Sequence, residues 1–167
     1  MKLGVSYLRE IAMLIRLSFL IFLAFTSAAI AKELPYSETA NASADIQQAL
    51  SQAATQKKKV LIIFGANWCG DCRALDTALK SKDNATLMAS EFLVVKVDVG
   101  NFDKNLDVSN QYGNPIKGGI PAVVILSPDN QVLYSSRAGE LANARKMSKN
   151  GIYEFFKSVT SSNSEKN

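Results

Sequence analysis

Cys69 and Cys72 are the only cysteines in a chain of 167 residues, and they lie in the run Asn67-Trp68-Cys69-Gly70-Asp71-Cys72-Arg73. At that spacing, at the start of a helix, two sulfurs can close into a disulfide or open into two thiols. A helix N-terminus also favours the thiolate of the first cysteine, because free backbone N–H groups and the macrodipole face it. This is equipment for thiol–disulfide exchange. Two other uses stay open. Two thiolates can hold Cu(I) in near-linear geometry, and two chains can share a metal through four cysteines. A disulfide can also staple the helix start, although so short a loop gives little loop-closure stabilisation.

The residues that are missing narrow the chemistry further. The chain has no histidine, which excludes Ser-His and Cys-His couples and imidazole proton relays. Two cysteines without histidine cannot build an ordinary structural zinc site within one chain. No cofactor and no resident metal are expected. Lys57-Lys58-Lys59 is the only basic run, and it reads as a solvated helix end, so no nucleic-acid partner is expected.

The first 31 residues read as a signal peptide. Leu17 to Ala31 is apolar except for one Thr and two Ser, with Arg16 directly before it. Ala29-Ile30-Ala31 has the small-x-small form that signal peptidase requires, which predicts cleavage before Lys32. The apolar run is shorter than the about 20 residues that span a bilayer, and an uncleaved anchor is the alternative. Met13 would give a more compact leader as start codon. The leader carries two of the four net positive charges of the full chain. The chain is therefore expected in the periplasm or otherwise exported, where disulfides persist unless something continually reduces them.

Elements must position the cysteines, and the pattern supplies them in order. Residues 32–44 read as a flexible lead-in, and Asp45 is a candidate cap for a helix to about Gln56. Val60 to Phe64 is a continuous apolar run, the mark of a buried central strand. The cysteine loop follows at once. Helical stretches then run from Cys72 towards Lys82 and from Asn84 to Glu91. Phe92 to Val99 reads as a second, parallel strand, and Asn101 to Gly113 as a loop with a short helix. Ala122 to Leu126 is a third strand. After turn residues Ser127 to Asn130, Val132 to Ser135 pairs back at an edge. Gly139 to Arg145 reads as an ordinary helix start, with a partner surface as the alternative. Ile152, Phe155, Phe156 and Val159 give a terminal helix its apolar face, and residues 161–167 read as a frayed tail. Parallel strands joined by helices and followed by an antiparallel hairpin predict a three-layer α/β/α sandwich with a mixed central sheet, in one domain over 45–160.

Over about Asp45 to Val159 the chain resembles the thioredoxin superfamily. The buried strand ending at Phe64, the Trp68-Cys69-Gly70-x-Cys72 turn and Gly119-Ile120-Pro121 about fifty residues later occur in the family's order. The resemblance implies a protein-disulfide reductase or other thiol–disulfide oxidoreductase, acting on disulfide-containing proteins as a monomer. Cys69 matches the attacking cysteine and Cys72 the resolving one, together the family's redox-active disulfide. Trp68 matches the aromatic beside the site; core packing is its other possible use. Pro121 matches the family's cis-proline, which would turn the Ile120 backbone towards the sulfurs, where an extended substrate can pair as a short strand. Outside the cytoplasm the reductant is expected to be a membrane-embedded electron donor.

Two departures bear on mechanism. Six positions before Cys69, where reductases of the family often bury an acid, this chain has Ile63, which cannot move a proton. Deprotonation of Cys72 then falls to water, Asp71 or Asp76. Lys96 matches a lysine that neighbours the missing acid; without it, Lys96 reads as a solvated strand-end charge or a tuning group. Asp71, where reductases often carry proline, disfavours the Cys69 thiolate, and Arg73 can offset part of that. Since strong oxidants rely on a stabilised reduced form, the balance leans to a reductase or mild exchanger.

Overall fold

The computed structural model describes residues 34–161; the expected signal peptide and residues 162–167 of the tail lie outside them. Helix α1 (Ala42–Gln56) starts three residues before Asp45. Asn41 is its cap, with Oδ1 accepting the Ala44 N–H at 3.0 Å. Asparagine caps as well as aspartate does, and Asp45 instead sits in the first turn, where its charge suits the helix dipole.

Strand β1 (Lys59–Gly65) follows. Helices α2 (Gly70–Leu79) and α3 (Lys82–Glu91) then carry the chain to β2 (Phe92–Asp98), which pairs with β1 in parallel. A short α4 (Leu106–Gln111) and a 3-10 turn at Pro115–Gly118 lead to β3 (Ala122–Leu126) and β4 (Val132–Ser135). A second 3-10 turn, Ala144–Lys146, precedes α5 (Lys149–Ser161), so Ser161 closes that helix and does not begin the tail. Among the described residues the sheet has four strands in the order β2-β1-β3-β4.

Parallel pairing is confined to β1 and β2, because α2 and α3 return the chain to the far end of the sheet. The link from β2 to β3 holds only short helical pieces and does not make that return. Consequently β3 begins beside the end of β1, with Ala122 opposite Phe64, and runs antiparallel to it. That register brings the loop after β1 and the loop before β3 to one end of the sheet's central strands.

The sheet divides two cores, as period-2 alternation demands. Val60, Ile62 and Phe64 pack with Ile46, Ala49, Leu50 and Ala53 of α1. Leu61 and Ile63 pack on the other face with Leu75 of α2, Met88 of α3, and Ile152 and Phe156 of α5. Helix, sheet, helix: the architecture is the three-layer α/β sandwich with a mixed sheet that the pattern predicts.

The lead-in is not loose where it is described. Tyr36 is only 3 % exposed and belongs to the α1-side core. Its N–H donates to Asn67 Oδ1 at 3.0 Å, and Asn67 Nδ2 donates to the Tyr36 carbonyl at 2.8 Å. The packed domain thus extends at least to Tyr36, ahead of the expected boundary at 45, because a large aromatic and two backbone hydrogen bonds hold that stretch in place. Gly65 makes this possible: a β-carbon there would collide with the Tyr36 ring and hydroxyl. We predict that Gly65→Ala destabilises the fold by about 1–3 kcal/mol, the usual cost of forced overpacking. Chemical denaturation measures it, and a wild-type midpoint would contradict the packing described.

Candidate functional site

Cys69 is the N-cap of α2, and its Sγ accepts the Cys72 N–H at 3.1 Å. Cys69 and Cys72 form a disulfide, with Cα atoms 5.2 Å apart. Cys72 is wholly buried and Cys69 is 5 % exposed. Both are largely covered, so an attacking thiol meets the first sulfur at the rim and never the second. Across the site, the Ile120 carbonyl oxygen lies 3.7 Å from Cys69 Sγ, and the Ile120–Pro121 peptide is cis. Trp68, Cys69, Ile120 and Pro121 are thereby gathered at the end of the sheet where β1 ends and β3 begins.

Trp68 is 54 % exposed, which removes core packing as its use. Its Nε1–H donates to the Gly100 carbonyl at 2.8 Å, and its ring sits tilted against Phe102, centroids 6.2 Å apart. Phe102 is itself exposed and held at φ 64, a backbone region that bulky residues rarely adopt. Phe102, Leu106, Ile116 and Gly119 line a shallow cleft that runs up to the Ile120 loop. Nothing local marks Phe102 in the sequence; only the fold brings it to Trp68.

The charges are arranged differently from the sequence expectation. The Asp71 carboxylate is engaged by Arg145. Its Oδ1 accepts the Arg145 N–H at 2.9 Å and its Oδ2 meets Arg145 Nη2 at 3.0 Å. That guanidinium hydrogen bond holds the Asp71 carboxyl below the usual carboxylate range. Arg145, which also lies over Gly70, is therefore the counter-charge. Arg73, the residue expected in that role, instead donates through Nη1 to the Asn67 carbonyl at 2.6 Å and braces the loop. Arg145 is 74 positions from Asp71, on a stretch read as an ordinary helix start, so no local signal could find it.

Asp76 is one turn beyond Cys72 on α2 and is hydrogen-bonded by Lys96 Nζ of β2, with Lys80 Nζ 2.9 Å from its other oxygen. Burial works against its charge, but the two lysines more than offset that and keep its carboxyl below the ordinary range. Lys96 is thus a paired, half-buried cation, not a solvated strand end. Ile63 sits beside it across the β1–β2 ladder and faces the opposite core from the cysteines. Among the described residues, no group of three or more metal-ligating side chains comes together.

A buried dithiol whose outer sulfur caps a helix can perform reversible two-electron thiol–disulfide exchange. Comparison with known proteins agrees. A family model described as thioredoxin-like matches residues 41–128. A crystal structure described as the disulphide isomerase of Xylella fastidiosa Temecula1 is 53% identical, with a TM-score of 0.76 over 78% of this chain and 99% of that one. The thioredoxin of Bacillus subtilis strain 168 is 32% identical over 84 residues, 50% of this chain and 72% of that protein.

The Asp71–Arg145 pair has a testable consequence. Replacing Arg145 by Ala leaves the Asp71 charge uncompensated near Cys69. The Cys69 thiolate pKa is then expected to rise by about half a pH unit, the effect of one charge several ångströms away in a water-like dielectric. Since the folded Asp71 pKa is depressed, the pair's contribution to stability is full above about pH 4, the unfolded carboxylate's own value, and is lost as pH falls through the lower folded value. Thiolate titration and acid denaturation of both proteins check this. An unmoved Cys69 titration would contradict it.

Proposed function

The chain belongs to the thioredoxin-like family and is a thiol–disulfide oxidoreductase, and from that premise we propose that it reduces or exchanges the disulfides of exported proteins as a mild reagent. The observation that carries the reading is the reachable Cys69 sulfur capping α2 with Cys72 buried behind it. Cys69, as thiolate, attacks a substrate disulfide and forms a mixed disulfide. Cys72 then attacks Cys69 and releases the reduced substrate. The substrate segment lies across Trp68 and the Ile120–Pro121 loop, its backbone pairing beside Ile120.

Mildness follows from how the nearby cations are used. A strong oxidant needs a heavily stabilised thiolate on its outer cysteine. Here Arg145 is engaged by Asp71 and Arg73 by the Asn67 carbonyl, which leaves the helix N-terminus as the support for Cys69. Likeness to a protein described as a disulphide isomerase favours the same direction, since exchange requires a reduced, attacking thiol. Work outside the cytoplasm, after cleavage before Lys32, follows from the leader's composition. In that compartment a membrane-embedded donor returns Cys69 and Cys72 to thiols.

Turnover of insulin with dithiothreitol tests this, using the mature chain and its Cys69→Ser and Cys72→Ser variants. Both variants are expected to fall to background, with Cys72→Ser accumulating mixed disulfides. Retained turnover in either variant, or a loss of Cu(I) binding as the only change, would sink the reading.

A further inference from the structure

Cys72 is fully buried, so every passage through its thiolate places a negative charge in an apolar surrounding, which is costly without a donor nearby. The strand position that could offer a proton-bearing group holds Ile63, and Ile63 faces the other core. A different residue lies on the same side of the sheet as the sulfur, Tyr36, which packs in the core that holds Cys72. A β-carbon built on Gly65 would collide with the Tyr36 hydroxyl and would lie 3.0 Å from Cys72 Sγ, so the phenol and the inner sulfur border the same carbon-sized space.

We propose that the Tyr36 hydroxyl serves the reduced Cys72 as a hydrogen-bond donor, making Tyr36 a positioning residue that stabilises the inner thiolate during exchange. The inference rests on the assignment of Cys72 as the resolving cysteine. Three features of the chain support it. Gly65 supplies the room for the phenol. Asn67, two residues before Cys69, fixes the Tyr36 backbone through reciprocal hydrogen bonds of 3.0 and 2.8 Å. Arg73, next to Cys72, donates to the Asn67 carbonyl, so the clamp and the cysteine loop form one unit.

The phenol can only donate here. Burial first, then the negative charges of Asp76 and Asp98, push its pKa far above the ordinary tyrosine value. Asp76, on α2, is paired with Lys96 and Lys80. Asp98, on β2, has Lys104 Nζ at 3.5 Å, an ion pair without hydrogen-bond geometry. Tyr36 therefore keeps its proton throughout the cycle. In the resolving step the Cys72 electron pair forms the Cys69–Cys72 bond, the mixed disulfide breaks, and the substrate sulfur leaves with that bond's electrons. The proton shed by Cys72 ends on the departing substrate thiol. Tyr36 stabilises the anion in between and is neither oxidised nor reduced.

The test titrates Cys72 in a Cys69→Ser background by the NMR shift of its labelled β-carbon, with and without Tyr36→Phe. Loss of the hydroxyl is expected to raise the Cys72 pKa by about one unit, as deletion of a hydrogen bond to a charged group does. It is also expected to slow decay of a preformed mixed disulfide about tenfold at neutral pH. If the phenylalanine variant does not fold, 2,3-difluorotyrosine at position 36, a stronger donor, decides: the Cys72 pKa falls. An unchanged titration in whichever variant folds overturns the role of Tyr36. Wild-type protein that shows no exchange at all overturns the functional reading instead, so the two failures are distinct.

Discussion

The antiparallel placement of β3 against β1 is the constraint on which the site depends. With Ala122 opposite Phe64, the chain leaves β1 into the cysteine loop at the same end of the sheet where it approaches β3 through Ile120 and Pro121. Neither loop has a redox function alone. Together they set a carbonyl 3.7 Å from Cys69 Sγ on one side and a helix N-terminus on the other. The apolar run Val60 to Phe64 of β1 supports this placement, because a slip of one residue would turn each of its side chains to the other core.

Electrostatics around the sulfurs are managed by pairing. Asp71 between the cysteines would oppose a thiolate, yet Arg145 binds its carboxylate and neutralises it. Asp76, one turn beyond Cys72 on α2, forms a second pair with Lys96. What remains directed at Cys69 is the Cys72 N–H at 3.1 Å, a modest donor. That arrangement supports the moderate driving force proposed above, and the exposed Trp68 and Phe102 form an apolar surface next to the cysteine loop.

Much of this was legible from local pattern. The run Val60 to Phe64 reads as a buried strand, Cys69 and Cys72 beside Trp68 point to a redox pair ahead of the metal and staple alternatives, and the alternating apolar faces imply helices on both sides of a sheet. Features set by distant contacts were not legible. Arg145 looks like any helix-start cation until the fold lays it over Gly70. Tyr36 sits in a polar stretch that composition assigns to a loose lead-in, and only Gly65 and Asn67 together explain its burial. The cap at Asn41 was readable in principle, since asparagine before Ala42 competes with Asp45 on equal chemical terms.

Redox equilibration of the Cys69–Cys72 couple against a dithiol buffer examines the central claim most directly. The account predicts a reversible two-electron transition with a midpoint closer to about −270 mV, the reductase end of the scale, than to about −120 mV, the strong-oxidant end. A couple that will not equilibrate, or one poised at the oxidant end, would contradict it.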